Sequence, residues 1–316
     1  MSDTSGIEWT DATWNPVRGC SIVSKGCTNC YAMKQAHRFS APGQAYAGLT
    51  KLTKGGPVWT GEVAMVPGML TWPITKKKPA RIFVNSMSDL FHESVPFAFI
   101  DQVFAVMRRA RDHTFQVLTK RPQRMLDYLC AHDLAERIFI AGHHTPFCAT
   151  DSPPHMPLRN VWLGVSVEDQ AAADERIPLL LQTPAAVRWI SAEPLLGPID
   201  LYKPHAHWAT DPTNERTDLD LLNWVVVGGE SGWGRARPMH PEWARSIRDQ
   251  CEQLKIPFFF KQWGEWAPPG IFPKELWRPG HTYVNCEVYG DEYVMAVGKK
   301  TAGRQLDGRE WNEYPA

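Results

Sequence analysis

The chain has 316 residues, 43% of them hydrophobic, which is ample for a substantial core, and its 34 Lys and Arg balance 34 Asp and Glu. That balance excludes a strong global field for nucleic acid or membranes, while leaving room for local patches. No apolar run approaches the roughly 20 residues that span a bilayer, and "MSDTSGIEWTD" has neither the basic nor the apolar region of a signal peptide, so a soluble cytoplasmic protein is expected.

In chain order, "IEWTDATW" (7–14) reads as a first strand and is followed by a loop holding Cys20, Cys27 and Cys30. "GEVAMV" (61–66) is ambiguous. "RIFVNS" (81–86) is a strand, and "PFAFIDQVFAVMRRARD" is a helix with apolar residues at helical spacing. Next come strand "TFQVLTK" (114–120), helix "PQRMLDYLCAHDLAER", strand "NVWLGVSV" (160–167), helix "DQAAADERIPLLLQ" and strand "AVRWISAE" (186–193). Strand "LNWVVVGG" (222–229), helix "HPEWARSIRDQCEQL" and strand "PFFFKQW" (257–263) complete the alternation. Nearly continuous apolar strands separated by helices predict an α/β fold with a parallel sheet. Six or seven β/α units predict a partial or full TIM-like barrel over 1–263, with a doubly wound sheet as the runner-up. Proline- and histidine-rich residues 140–158 read as an irregular insertion, and 202–218 as a solvated loop. Residues 264–316 read as an extension packed on the barrel, with a hairpin around "EVYGDEYVMAV". Nothing argues for two independent domains.

Three of seven cysteines fall within eleven residues, in "RGCSIVSKGCTNCYA". In a reducing compartment clustered thiols point to metal or catalysis rather than a disulfide. The spacing admits two sites. Zinc closed by four ligands would take His37 as the fourth. A [4Fe–4S] cluster held by three cysteines would leave one iron open, and a barrel context favours it.

In parallel β/α barrels, function gathers at the carboxyl ends of the strands. Those ends carry Asn85, Ser86, Ser88 and Asp89; Thr119, Lys120 and Arg121; Ser166 and Glu168; Ser191 and Glu193; Glu230 and Ser231; and Lys261 and Gln262. The cysteine loop, following the first strand, opens onto the same face. Other chemistries lack support. "VGKKTAG" has Tyr293 where a P-loop needs glycine, "GGESGWG" does not fit a dinucleotide fingerprint, and no nucleophile elbow occurs.

The segments "TWNPVRGC…GCTNCYA", "RIFVNSMSDLFHE", "FQVLTKRPQRM", "NVWLGVSVEDQ", "SAEPLLGPIDL", "WVVVGGESG…RPMHPEWARSIRDQC" and "PFFFKQWGEW" together resemble a phage-associated family of unknown function. That family carries a three-cysteine motif and is assigned to the radical S-adenosylmethionine (SAM) superfamily; more distantly, the strand-end motifs resemble spore photoproduct lyase-like proteins. The insertion at 140–158 has no counterpart, and the cysteine spacing departs from the superfamily's usual C-x3-C-x2-C. The resemblance implies a [4Fe–4S] cluster on Cys20, Cys27 and Cys30 that reductively cleaves SAM to a 5′-deoxyadenosyl radical. It places Asn85, Ser88 and Asp89 near the cofactor's amino group and Lys120 near its carboxylate. It also places Ser166 and Glu168 near carboxylate or ribose hydroxyls. Glu193 and Glu230 fall in segments that contact adenine or substrate, and Arg235, Arg237 and Lys261 are substrate-side candidates. It assigns no catalytic residue. An electron donor such as flavodoxin or ferredoxin and a nucleotide or nucleic acid substrate are the implied partners. The alternative is a non-catalytic, zinc-stabilised binding protein.

Overall fold

A computed structural model describes residues 5–202, 222–232, 234–271 and 281–316. The expected solvated loop at 202–218 lies, apart from Tyr202, outside the described residues. The chain forms two compact units, the first from 1–23, 31–165 and 182–187, the second from 24–30, 166–181 and 188–316.

The first unit contains β1 (Ala12–Trp14), β2 (Val17–Arg18), α1 (Tyr31–His37), β3 (Thr50–Thr53), β4 (Gly56–Trp59), β5 (Ala64–Met65) and α2 (Trp72–Thr75). It continues through β6 (Arg81–Val84), α3 (Phe97–Arg109), β7 (Thr114–Thr119), α4 (Pro122–Leu129) and α5 (Leu134–His143) to β8 (Val161–Ser166). The second unit has α6 (Gln170–Gln182), β9 (Val187–Ala192), β10 (Trp224–Gly228), α7 (Pro241–Leu254) and β11 (Phe258–Gln262). After these come β12 (Trp266–Ala267), β13 (His281–Val284), β14 (Glu292–Ala296), α8 (Lys299–Ala302), β15 (Gln305–Leu306) and β16 (Arg309–Glu310).

The main sheet has seven strands in the order β1-β6-β7-β8-β9-β10-β11, with parallel pairings. Spatial order follows chain order without reversal. A doubly wound sheet would reverse at a switch point, so the fold is the α/β, partial TIM-like barrel. Every residue of β10 and β11 is buried, which is why β10 reads as an apolar run and β11 opens on three phenylalanines before its polar end at Lys261 and Gln262. Trp9, Trp14, Trp189, Trp224 and Trp263 are fully buried, as core residues.

Several element boundaries differ from the sequence reading. Only Ala12–Trp14 of the first segment is strand, because Ile7–Asp11 curls into a turn: Thr10 N–H donates to Ile7 O at 3.2 Å, and Asp11 accepts the Arg81 N–H at 2.8 Å. "GEVAMV" lies outside the main sheet, its β5 pairing antiparallel with β2. The helix expected from Pro122 through Arg137 is two helices, broken over 130–133. The break serves a polar cluster: Tyr128 Oη donates to buried Asp101 at 2.9 Å, and Arg137 pairs with both Asp101 and Asp133. The second helix, α5, runs to His143, so the insertion starts helically; it packs on α3.

Residues 264–316 belong to the second unit together with β9–β11. They contain the antiparallel β13–β14 pair, closed by reciprocal backbone bonds between Cys286 and Gly290. Their end runs along the outer edge of β11, where Phe260 N–H donates to Trp311 O at 3.0 Å and Glu313 N–H to Phe258 O at 3.2 Å. An otherwise open sheet edge is thereby covered.

Candidate functional site

In the first unit, the loop after β6 is clamped to the segment that leads into the cysteines. Asn85 adopts a left-handed φ of 62°, donates its N–H to Trp14 O at 2.8 Å and accepts Val17 N–H on Oδ1 at 3.3 Å. Its Nδ2 is buried with no hydrogen-bond partner. Ser88 Oγ donates to Val17 O at 2.8 Å, and Ser88 and Gly19 form a parallel bridge.

Asp89 is engaged on all sides. Its carboxylate accepts Thr119 Oγ1, the N–H groups of Phe91 and Lys120, and Arg121 Nη1 at 3.0 Å. Lys120 itself is half-buried. Arg121, 7% exposed, is the hub of this half of the rim. Its Nε pairs with Glu93 at 2.8 Å, Nη2 donates to Ser21 Oγ at 2.6 Å, and Nη1 reaches Cys20 Sγ at 4.0 Å. Burial alone would lower the Arg121 pKa, but Asp89, Cys20 and Glu93 together raise it above its ordinary value. His92 Nδ1 accepts Ser94 N–H, so its Nε2 carries the proton facing Ser21 Oγ at 2.9 Å. Burial, and then the Arg121 charge, hold its pKa below the ordinary imidazole value.

In the second unit, the turn carrying Cys27 and Cys30 is tied to the ends of two strands. Cys27 N–H donates to Ser24 O and Cys30 N–H to Cys27 O, giving a tight turn. Ser24 Oγ donates to Glu168 Oε1 at 2.7 Å, and Arg176 Nη1 donates to Glu168 Oε2 at 3.0 Å and to Ser166 O at 2.8 Å. A Cβ on Gly26 would lie 2.3 Å from Glu168 Oε1, so only glycine lets the turn approach this carboxylate. Asn29 Nδ2 donates to Glu230 Oε2 and to Arg235 O, both at 2.9 Å.

Glu230 also accepts Arg237 through its backbone N–H, Nε and Nη2, the last at 2.5 Å. Burial raises the Glu230 pKa, but the Arg237 hydrogen bonds outweigh it and leave the pKa below the ordinary carboxylate value. A depressed folded-state pKa contributes stability above the unfolded pKa, which is lost as pH falls through the folded one. Unfolding midpoints measured downward from pH about 4.5 should therefore fall more steeply for the native chain than for Glu230→Gln. Equal slopes would remove Glu230 from the acid-sensitive set.

Further round the same unit, Lys261 Nζ donates to Glu193 Oε1 at 2.6 Å, joined by Gln262 Nε2 at 3.3 Å. Gln262 Oε1 is buried without a partner. A Cβ on Gly229 would sit 1.9 Å from Trp263 O, so the two strand ends meet only because this residue has no side chain.

Of the residues expected at the site, Asp89 pairs with Arg121, which reaches Cys20, Asn85 and Ser88 hold the backbone of Val17 ahead of that cysteine, and Glu168 and Glu230 each hold a residue of the cysteine turn. Glu193 and Lys261 pair with one another. Arg237 is committed to Glu230, while Arg235 is exposed and contributes its carbonyl to Asn29. The sequence reading placed Arg121 at a strand end without a role, and it overlooked Ser21, Ser24 and Asn29. "TKRP" puts a second cation directly after a strand, a signal available beforehand; short polar residues between cysteines carry no such signal. All three loop cysteines are half-buried and none is in a disulfide. Among the described residues, no three His, Cys, Asp or Glu side chains come together in a group able to hold a metal ion, and no helix is long and apolar enough to cross a membrane.

Comparison with known proteins gives a family match over residues 4–315, to the family described as "Protein of unknown function (DUF5131)". No curated protein matches. A solved structure of a spore photoproduct lyase complexed with dinucleoside spore photoproduct aligns at 10% identity and a TM-score of 0.32. The alignment covers 88% of this chain and 66% of that one, so this chain spans just under two thirds of that protein's length.

Proposed function

Since the chain belongs to the DUF5131 family, whose description assigns no activity, we propose a function from its own residues: a radical SAM enzyme. The observation that carries this reading is the trio of half-buried cysteines, none in a disulfide, on one loop after the first strand of a parallel β/α half-barrel. Three thiolates are a soft donor set, suited to iron–sulfur chemistry. Two further features fit the group: the orphaned Asn85 Nδ2 is a buried donor needing an acceptor, and Gln262 Oε1 a buried acceptor needing a donor.

When bound, the cluster would supply one electron to the sulfonium of SAM, releasing methionine and the 5′-deoxyadenosyl radical. The protein's part is positioning. Cys20, Cys27 and Cys30 would hold three irons. Arg121 faces Cys20 and favours its thiolate, while Glu168 and Glu230 fix the turn bearing Cys27 and Cys30. Lys120 is the cation for the methionine carboxylate, and Asn85 Nδ2 is a buried donor for an acceptor atom of the cofactor. Ser88, Ser166, Glu193 and Lys261 remain the polar groups for the rest of the cofactor and substrate. The electron must come from an external one-electron donor such as flavodoxin or ferredoxin.

Anaerobic reconstitution tests the reading. Iron and sulfide near about four per chain, with 5′-deoxyadenosine formed from SAM and dithionite, is the expected outcome. A colourless protein holding one zinc and no iron would replace it with the zinc-stabilised binding protein.

A further inference from the structure

Charge is not spread evenly along this chain. From Ala12 to Thr60 the sequence holds Arg18, Lys25, Lys34, Arg38, Lys51 and Lys54 and not one acidic residue. Onward to Ser88, Glu62 is the sole acid against Lys76, Lys77, Lys78 and Arg81. Because the whole chain is neutral, its balance conceals a basic N-terminal quarter and an acidic remainder.

Part of that quarter forms a surface within the first unit. Helix α1 packs against the β3–β4 hairpin. Arg38, Lys51 and Lys54 are exposed, and Lys34 is half-buried. Two aromatic rings at the ends of α1 are exposed as well: Tyr31, its first residue, is 47% accessible, and Phe39, two residues past its end, 48%. Arg18 lies over the Tyr46 ring at 5.6 Å, holding another cation and ring together. Tyr31 Oη donates to Ser86 O at 2.7 Å, just beyond the end of β6, so the surface begins at the strand-end rim.

We propose that this surface, α1 with the β3–β4 hairpin, binds single-stranded nucleic acid, its cations following the phosphates and Tyr31 and Phe39 stacking on bases. Stacking on exposed rings beside a basic track is the way single strands are held without sequence preference. An acidic protein partner accounts less well for the pattern. Protein interfaces are depleted in lysine at their centres, whereas nucleic acid interfaces are strongly and one-sidedly positive. As a route by which a polymer-borne nucleotide reaches the rim, the inference rests on the radical reading; binding itself does not.

Fluorescence anisotropy with a labelled single strand of about 16 nucleotides tests it on both cluster-free and reconstituted protein. The same sequence as duplex and an acidic ferredoxin serve as separate probes. Lys51→Glu with Lys54→Glu should raise the Kd about tenfold or more at 0.1 M salt and flatten the log K against log salt slope by about 1.4. Phe39→Ala should weaken binding about fivefold or more and leave that slope unchanged. All three positions are exposed, and an unchanged thermal midpoint checks the fold. No single-strand binding, insensitivity to the double reversal, equal or tighter duplex binding, or a loss confined to the ferredoxin would each overturn the proposal. Binding by cluster-free protein that cannot be reconstituted would sink the radical reading and leave this one standing.

Discussion

Replacing Cys20, Cys27 or Cys30 singly with alanine should abolish 5′-deoxyadenosine formation and strip the iron from anaerobically reconstituted protein. The effect is expected to be all-or-none because in the proposed cluster each thiolate would hold a different iron, and two ligands would not retain it against exchange into solvent. Cys130→Ser is the control: Cys130 is free and exposed, at the end of α4, and its loss should leave iron, sulfide and turnover unchanged. Measuring iron and sulfide beside product separates a cluster that never forms from one that forms and cannot react. A loop variant that keeps full iron and still cleaves SAM would remove these cysteines from the site.

Glu168→Ala should destabilise the protein by about 3–5 kcal/mol in denaturant unfolding, the usual cost of breaking a buried ion pair from one side. Glu168 is 1% and Arg176 2% exposed, so truncating the carboxylate strands a buried guanidinium. Surface ion pairs, contributing about 0–1 kcal/mol, offer no such penalty. The same change removes the acceptor of the Ser24 hydroxyl, and the turn it anchors should open, raising the alkylation rate of Cys27. Glu168→Gln keeps an acceptor for both partners and should lose less. A loss under about 1 kcal/mol for the alanine variant would show that the pair does not brace the turn.

The two variants probe different layers, donors in one case and their support in the other, and the layers were not equally legible beforehand. The strand–helix alternation was readable because a sheet covered by helices demands apolar runs such as "WVVVG" and the "FFF" that opens β11, every residue of which is buried. The split of 122–137 into two helices was not readable. Periodicity continues across Cys130, and what breaks the helix is a cluster with Asp101, 29 residues upstream of that cysteine. Rim residues were readable as polar groups at strand ends, but whether each faces a ligand or a neighbour was not. Asp89 illustrates this: its four donors come from Phe91, Thr119, Lys120 and Arg121, which only folding brings to it.

By itself the sequence determined the α/β alternation, the strand count within one, the thiol cluster and the charge segregation, because each is carried by residue types at short spacing. Tertiary structure alone decided that Arg121 turns toward Cys20, that Glu168 and Glu230 pin the turn of Cys27 and Cys30, and that Asn85 Nδ2 is left without a partner. The physical reason is burial. A polar side chain withdrawn from water must take whatever partner the fold delivers, and that partner is set by strand order rather than by neighbours in the chain.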